Sequence, residues 1–400
     1  MIFNTITYFA AFLLPAAILI RRLSLIGREW LVAVIGALFF VTFSITSVGG
    51  IPGALCLGLL LAISLLTLAV MRKGSKVGLA LVLAAALATL GFFKYSNFFL
   101  TSVIGLSKQH PLYWKDAFLP LGISFFTFEF VHYAVDVYQG KAEPVRPGKF
   151  LAFILFFPTM VAGPIKRIQD FSLDVHPAGS RDALSDWHRG ITRVLVGLAK
   201  KFAIADLLTA VTDHLVQSDI VAANHRILPV IWIFAYGIKI YIDFSAYSDI
   251  AIGSSRILGI KVPENFDNPY GKTNIAQFWQ HWHMSLYRWL VDYVFIPCGG
   301  SRGSAVATYR NTWIVMLVSG LWHGAGWQFV IWGAWHALGL SVHRLWSRGG
   351  VSAWLASRIP ATILVPVSWA VTFAYVNLGW SFFAMDFPTA MLWWRKVLLG

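Results

Sequence analysis

The chain has 400 residues, of which 58% are hydrophobic and only 12% are charged. Typical soluble domains carry about 25% charged residues, and a soluble protein this apolar could not cover its surface with polar groups. The composition therefore excludes a soluble enzyme. It predicts a polytopic membrane protein of the all-α class.

The net charge is +14, from 32 Lys and Arg against 18 Asp and Glu. The basic residues lie mostly in short gaps between apolar runs, where membrane topology and anionic lipid headgroups explain them. Membrane lipid is thus an expected partner, and nucleic acid is not. The two cysteines, Cys56 and Cys298, match neither a zinc site nor a disulfide framework.

Apolar runs of about 18 residues or more predict the membrane spans. The first run is interpreted as a retained span, because no basic region precedes it and no small-residue cleavage site follows it. We expect about nine to eleven transmembrane helices in total, together with re-entrant and buried polar helices. The clear candidates are 2–20, 30–47, 53–71, 77–104, 117–138, 190–212, 228–258, 312–344 and 360–384.

Three segments do not fit lipid exposure. Residues 150–165 are apolar but short and end in a Gly-Pro pair, which predicts a re-entrant segment. Residues 274–298 mix Trp, His, Arg and Asp, a composition suited to lining a buried cavity. The span 228–258 contains one Lys and two Asp, so it should face protein or water rather than lipid.

The chain contains no internal repeat and no domain-sized linker. We therefore expect one membrane domain over 1–400, with N-terminal helices in 1–116 and a core in 117–384. The first, third and fifth loops together carry nine Lys and Arg, whereas the second and fourth carry two. This difference predicts odd loops in the cytoplasm and an N-terminus outside. The basic region 166–201 should also be cytoplasmic.

Ionisable residues inside a bilayer cost several kcal/mol, so each is a candidate for function. Histidine is the most informative type, because it gains or loses a proton near neutral pH and can act as a general base. The candidates form three clusters: 241–249 with Asp243 and Tyr247; 277–293 with Trp279, His281, Trp282, His283 and Arg288; and 319–327 with Trp322, His323 and Trp327.

Simpler interpretations exist for several of these residues. His281 and His283 could bind a metal as a His-x-His pair, but no third and fourth ligands are evident, so no metal is expected. His132 and His336 are expected to be packing or hydrogen-bonded histidines. The glycines around His323 would permit close helix packing. His323 taken alone therefore does not establish a catalytic site.

Six segments with distinctive motifs follow one another in the chain, and their order carries more information than any one of them. In this order they resemble the membrane-bound O-acyltransferase family, over most of 117–384. The segments are 119–128 (LPLGISFFTF), 156–164 (FFPTMVAGP), 243–253 (DFSAYSDIAIG), 265–270 (NFDNPY), 278–293 (FWQHWHMSLYRWLVDY) and 319–324 (SGLWHG).

A seventh segment concerns the branch of the family. Residues 296–302 (IPCGGSR) resemble the bacterial polysaccharide branch, typified by the membrane subunit of alginate O-acetylation. The related teichoic-acid D-alanyl transfer proteins are the second branch considered. Cys298 departs from the pattern where a bulky aliphatic residue is expected, and Ala246 departs where glycine is usual.

The resemblance implies helices around a central tunnel, in which a small acyl group is transferred to a hydroxyl. His323 would be the general base, and His283 a second polar group in the same chamber. Asp243 and Tyr247 would orient a histidine or the substrate, and Arg288 would contact substrate. The walls of the tunnel would be aromatic: Trp279, Trp282, Trp322 and Trp327.

The donor implied by the resemblance is an acyl thioester rather than a bound cofactor. It would arrive from the cytoplasm as acetyl-coenzyme A or on a phosphopantetheine carrier protein. The basic region 166–201 would suit either donor, or it reflects membrane topology alone. An extracytoplasmic acetyltransferase or esterase-like partner would complete transfer to a cell-surface polymer. The implied location is the bacterial cytoplasmic (inner) membrane.

Two other classes of function remain open at this stage. Secondary transporters also have interrupted helices and intramembrane charges, although this chain shows no matching halves. A non-catalytic scaffold of a polysaccharide complex is the other alternative. A transporter would move substrate without a covalent acyl product, and a scaffold would tolerate the loss of His323.

Overall fold

The computed structural model of the protein describes residues 4–115, 117–214 and 227–399. These residues form helices and turns without any β-strand among them, which confirms the all-α fold class. The helices divide into two compact units, Met1–Ala199 with Ala246–Glu264 and Lys200–Ser245 with Asn265–Gly400. The single domain over 1–400, with its boundary at 116, stays a prediction.

In the first unit, serine caps and glycine turns set the ends of the helices. The Ser24 hydroxyl accepts a hydrogen bond from the Gly27 backbone N–H, and Ser75 caps a later helix in the same way. Between those two helices, Gly74 adopts the left-handed conformation that favours glycine. The helices are α1 Tyr8–Ile20, α2 Leu25–Val48, α3 Gly50–Val70, α4 Lys76–Val103, α5 Ile123–Tyr138, α6 Pro147–Ile154 and α7 Arg181–Ala199.

The remaining helices build the second unit, with one exception. Helix α9 begins in the second unit, and its residues from Ala246 onward belong to the first. The helices are α8 Asp206–His214, α9 Ile227–Ile257, α10 Ile275–His281, α11 Met284–Leu290, α12 Ala305–His323, α13 Trp327–Arg348, α14 Val351–Arg358, α15 Ala361–Ala384 and α16 Phe387–Leu399.

Several helices are long and apolar enough to cross a membrane, which supports the prediction of a membrane protein. The expected re-entrant region 150–165 contains only the end of the eight-residue helix α6, followed by turns. The total number of membrane crossings stays a prediction. The helices in the described residues that meet both criteria are Leu25–Ser47, Gly50–Lys73, Lys76–Val103, Ile227–Ile257 and Ala361–Ala384.

The predicted span 312–344 is wrong as a single helix. It forms most of a hairpin, in which α12 ends at His323 and α13 begins at Trp327. Between them Gly324 and Gly326 are both extended, with φ of −171°. The apolar run is continuous in the sequence, but a three-residue glycine-rich turn divides it, because glycine carries no side chain that favours continuing the helix.

Glycines within α12 and α13 also bring the two helices of this hairpin together. A Cβ added at Gly320 would lie 2.2 Å from the backbone oxygen of Phe329. One added at Gly333 would lie 2.4 Å from that of Met316. Any larger side chain at either position would therefore push α12 and α13 apart, which is the close packing that small residues permit in membrane proteins.

In the first unit, one polar face of α5 holds the segment 166–169. The residues on this face are spaced i, i+3 and i+7, so they lie along one side of the helix. His132 was expected to be a hydrogen-bonded core residue, and the structure confirms this. The contacts are an ion pair between Glu129 and Lys166, a hydrogen bond of 3.1 Å from the Ile168 backbone N–H to His132 Nε2, and one of 2.6 Å from the Gln169 amide to Asp136.

The basic region 166–201 is less available to a ligand than its sequence suggested. Lys166 is 2% exposed and paired with Glu129. Arg193 contacts Asp249 at 2.5 Å, and Lys201 contacts Asp243 at 2.8 Å. The physical reason is that charges buried in a membrane protein are paired within the chain. Arg181 and Arg189 remain exposed.

Candidate functional site

His283 lies in the second unit at the junction between α10 and α11, in an unusual backbone conformation. Its φ is +44°, in the left-handed region, which costs about 1–3 kcal/mol for a residue other than glycine. The Met284 backbone N–H donates to the Asn265 carbonyl oxygen at 2.9 Å. The imidazole itself is 1% exposed. The junction is therefore held by a backbone hydrogen bond, and its histidine side chain is buried.

The side chain of Asn265 determines which ring nitrogen of His283 carries the proton. Its Oδ1 accepts hydrogen bonds from the Ser285 hydroxyl at 2.6 Å and from the Ser285 backbone N–H at 3.4 Å. The same oxygen lies 3.2 Å from His283 Nδ1. Because an amide oxygen only accepts, Nδ1 must donate in this contact. In the neutral ring, Nε2 then keeps its lone pair.

A cavity of about 280 Å³ lies in the second unit, between α10, α11 and the α12–α13 hairpin. Its walls are mainly apolar, as expected of a small-molecule site. Trp279 and Trp282 line it together with His283, and polar side chains of the lining lie near the C-terminal end of α13. The lining includes Trp279, Trp282, His283, Leu286, Thr312, Met316, Ser319, Leu340, His343 and Arg344.

At the His283 end of this cavity, three polar atoms of the lining are buried without a hydrogen-bond partner among the described residues. They are His283 Nε2, Ser319 Oγ and Trp279 Nε1. Ser319 is 1% exposed and Trp279 is 6% exposed. A buried polar group without a partner costs about 1–3 kcal/mol, so three in one cavity indicate a site for a polar ligand. One of these atoms accepts a hydrogen bond, and the other two can donate.

His323 lies at the end of α12, one helical turn beyond Ser319. Its ring contacts Trp322, with 4.8 Å between ring centroids, and Trp322 in turn contacts His283 at 6.0 Å. His323 also packs against Trp332 and Phe383. The two histidines predicted as catalytic thus lie on the same aromatic cluster, although His323 is not itself part of the lining of the cavity.

The other predicted site residues are dispersed. Trp279 and Trp282 line the cavity with His283. Asp243 is paired with Lys201, and Tyr247 belongs to the first unit. Arg288 is exposed. A role in substrate binding for these three stays a prediction, and their positions give it no support. Trp327, expected in the wall, is 48% exposed and does not line the cavity.

Two further histidines, His336 and His281, lie outside the lining of the cavity. His336 is fully buried and packs against Trp279 and Trp332, with ring centroids 4.9 Å apart in each case, and neither of its ring nitrogens has a hydrogen-bond partner among the described residues. His281 contacts its own helix at the Gln277 carbonyl oxygen, 2.7 Å away. No group of three metal-ligating side chains occurs in the part of the chain that the structure describes.

Sequence reasoning missed Asn265, Ser319 and Arg344. Asn265 and Ser319 are the first residues of the motifs NFDNPY and SGLWHG, which indicate the family but assign no role to either residue. A spacing signal existed for Ser319, since it precedes His323 by four residues and so shares its helix face. Arg344 carried no such signal, because its approach to the cavity depends on how α13 packs against α12.

Comparison with known proteins identifies the class to which this site belongs. Residues 74–384 match the model of the membrane-bound O-acyltransferase family. The chain therefore belongs to that family, and the resemblance inferred from the ordered motifs is confirmed. The match includes the cavity, both histidines and the polar face of α5.

Individual relatives divide into three kinds. The chain is 39% identical to the probable alginate O-acetylase AlgI of Pseudomonas aeruginosa, covering 75% of this chain and 56% of the relative. It is 34% identical to the peptidoglycan O-acetyltransferase of Helicobacter pylori, covering 80% of this chain and 64% of the relative. It is 31% identical to the teichoic acid D-alanyltransferase of Bacillus subtilis, covering 66% of this chain and 68% of the relative. The chain spans between 53% and 63% of the length of its alginate-type relatives.

Proposed function

We propose that this protein is a membrane O-acyltransferase that moves a small acyl group, acetyl in the first place, from a thioester donor to a hydroxyl. The acceptor would be extracytoplasmic, as in O-acetylation of a cell-surface polysaccharide. The observation that carries the proposal is a family match that includes a cavity lined by buried, unpartnered polar atoms, with the His283 lone pair among them.

The proposed reaction needs a base, an oriented hydroxyl and donors for the carbonyl oxygen. His323 takes the proton of the acceptor hydroxyl while the oxygen attacks the thioester carbonyl carbon. His283 Nε2 accepts a hydrogen bond and orients the reacting group. As the tetrahedral intermediate collapses, the C–S bond breaks and the sulfur leaves with the proton from His323. The product is an ester and a free thiol, so protons and electrons balance.

Ser319 and Trp279 have a place in the same scheme. Both present an unpartnered donor to the cavity, from the hydroxyl and from the indole N–H. Donors fixed before the reaction stabilise the negative charge that develops on a carbonyl oxygen, and one such donor is worth about 10² to 10³ in turnover. We assign them to the thioester carbonyl, while Trp282 and Trp322 supply the aromatic wall.

The donor of the acyl group is proposed to be acetyl-coenzyme A or an acyl phosphopantetheine carrier protein. Acetyl is placed first because the alginate-type relatives share 37–39% identity, against 31–32% for the D-alanyl type. D-alanyl transfer from a carrier to a cell-envelope acceptor is the alternative. In either case an extracytoplasmic acetyltransferase or esterase-like partner would pass the group to polymer.

The location follows from the same proposal. We place the protein in the bacterial inner membrane with its N-terminus outside, since nine basic residues in the odd loops against two in the even loops orient it so. Reporter fusions to the loops at 72–76 and 108–115 test this orientation. A cytoplasmic signal from the loop at 108–115 would contradict it.

The activity is tested with the purified full chain in nanodiscs. One arm offers radiolabelled acetyl-coenzyme A and the other a D-alanyl-loaded carrier protein, each with a soluble hydroxyl acceptor. The His323→Ala variant should lose about 10² to 10⁴ of turnover, the usual contribution of a positioned base. His336→Ala is the matched control, because that histidine packs on the same Trp332 ring but has no role in the proposed reaction.

The outcomes separate the alternatives. His323-dependent turnover with acetyl-coenzyme A supports O-acetylation, and turnover only with the loaded carrier supports D-alanyl transfer. Full activity of a folded His323→Ala protein would overturn the assignment of the base. Movement of substrate across the membrane without an acyl product would show that the protein is a transporter and not an enzyme. Polysaccharide assembly that survives loss of both histidines would indicate a scaffold.

A further inference from the structure

The cavity in the second unit has two chemically different ends. Near His283 it presents the unpartnered atoms of Ser319 and Trp279. At the other end it is lined by His343 and Arg344 of α13. The wall between them is apolar and includes Leu286, Leu290, Val315, Met316 and Leu340.

Arg344 has an unused donor at that far end. Its Nε is buried and has no hydrogen-bond partner among the described residues. Its guanidinium lies over the ring of Tyr309, with 5.9 Å from Cζ to the ring centroid. An aromatic face of this kind orients the planar fork but takes up none of its N–H donors. The chemical complement of such a group is an anion with two acceptor oxygens, such as a phosphate.

The helix register gives the distance between the two ends. Tyr309 and Ser319 both lie on α12 and are ten residues apart, which corresponds to ~15 Å along the helix axis. Because Arg344 contacts Tyr309, the guanidinium lies near that level. A ligand that fills the cavity would therefore be long and narrow, with a reactive carbonyl near Ser319 and an anionic group near Arg344.

The charge around the hairpin indicates from which side such a ligand enters. The turn at 324–326 carries no charge, whereas several arginines flank the opposite end. By the positive-inside rule that end is cytoplasmic, which is the side that supplies acyl thioesters. The arginines are Arg302, Arg310, Arg344, Arg348 and Arg358.

We propose that Arg344 binds the phosphate of a phosphopantetheine arm whose thioester reaches Ser319 and His283. This inference rests on the proposed acyltransferase function and names the residue that binds the phosphate of its donor. The arm is uncharged along its length, so it suits the apolar wall, and its phosphate and sulfur lie at opposite ends. Coenzyme A and a carrier protein share this arm, so Arg344 would bind the phosphate that both sources have in common.

The phosphate contact can be isolated by pairing one variant with two small donors. Acetyl-phosphopantetheine and acetyl-pantetheine differ only in the phosphate. Arg344→Gln should raise KM for the first by about 10- to 100-fold, since a hydrogen-bonded charge is lost, and should leave KM for the second within about twofold. The matched control is Arg348→Gln, one helical turn further on α13 and exposed. It should change neither KM.

Binding of the unacylated arm tests the same contact without turnover. Wild-type protein in nanodiscs should bind phosphopantetheine more tightly than pantetheine, and Arg344→Gln should remove that preference. If this preference is found but no acyl transfer occurs, the proposed function fails while the phosphate site stands. If transfer occurs without the preference, the phosphate site fails while the function stands.

Three results would overturn the proposal. The first is an equal rise in KM for both donors, which would mean that Arg344→Gln disturbs the cavity as a whole. The second is an equal effect of Arg348→Gln, which would reduce the site to diffuse positive charge. The third is an unchanged KM for acetyl-phosphopantetheine. Testing acetyl-coenzyme A and an acetylated carrier protein against Arg344→Gln then shows which source of the arm uses the site.

Discussion

Two groups of buried polar side chains, the α5 face in the first unit and the cavity lining in the second, differ in how far their hydrogen bonds are satisfied. In the first unit the carboxylates and amide of the α5 network are paired, as in Glu129 with Lys166 and Asp136 with Gln169. In the second unit Ser319, Trp279 and His283 keep buried atoms unpaired around one cavity. A satisfied network fixes a structure, whereas an unsatisfied one is available to a ligand. Counting intramembrane charges in the sequence does not distinguish these cases.

The largest effect should come from breaking the paired network. Lys166→Met leaves Glu129 buried without its cation, which should lower the free energy of unfolding by about 3–5 kcal/mol. Thermal denaturation in nanodiscs measures this loss. The double variant Glu129→Leu with Lys166→Met should recover most of the stability, because no unpaired charge remains. A double variant as unstable as Lys166→Met would contradict the pairing.

Removing the unpaired hydroxyl of Ser319 should lower turnover without lowering the stability of the protein. Ser319→Ala deletes a buried group without a partner among the described residues, so the free energy of unfolding should not fall and should rise by up to about 1–3 kcal/mol. Turnover should fall by about 10² to 10³ if the hydroxyl stabilises the oxyanion. Thr312→Val is the control, since this hydroxyl also lines the cavity but is hydrogen-bonded to Thr308. Equal losses in the two variants would remove Ser319 from the chemistry.

Asn265 combines a satisfied contact with an unsatisfied one. Its own side chain is hydrogen-bonded to Ser285, and it orients His283, whose Nε2 has no partner among the described residues. Asn265→Leu removes the acceptor for His283 Nδ1 and for Ser285, and we expect about a 10- to 100-fold loss of turnover with a stability loss of about 1–3 kcal/mol. Asn265→Asp keeps an acceptor oxygen and should retain more activity than the leucine variant. Equal activity in the two would exclude control of the tautomer.

The smallest effect is expected at Arg288. It was a candidate for substrate binding in the sequence, but it is exposed and does not line the cavity. Arg288→Gln should therefore leave KM and turnover within about twofold of the wild type, as measured with acetyl-coenzyme A. A tenfold rise in KM would show that substrate extends beyond the cavity described here.

The sequence was most informative where function and local motif coincide. Trp279, Trp282 and His283 lie within one short segment, so their proximity needed no knowledge of tertiary structure. The site residue Arg344 required the pairing of α12 with α13, which depends on the glycine contacts between them. Hydropathy even suggested one span there, because lipid-facing and hairpin helices have the same composition.

Lys166 illustrates the converse limit. In the sequence it begins a basic region, which indicates either a surface that attracts phosphate or an acidic carrier, or membrane topology alone. Its side chain is buried instead, against a carboxylate 37 positions earlier in the chain. No local pattern around Lys166 predicts its burial or its ion pair, because the partner Glu129 lies in a distant part of the sequence. Pairing of distant charges is a tertiary property, and composition records only their number.

The hairpin of α12 and α13 also has a consequence for how the protein is made. Its helices are joined by three residues, so the contacts of Gly320 and Gly333 are local in sequence and can form once both helices have left the ribosome. α15 is synthesised later, and only then can it cover Trp335 through the Tyr375 ring. One wall of the cavity would therefore be complete early in biogenesis, before the last helices enter the membrane.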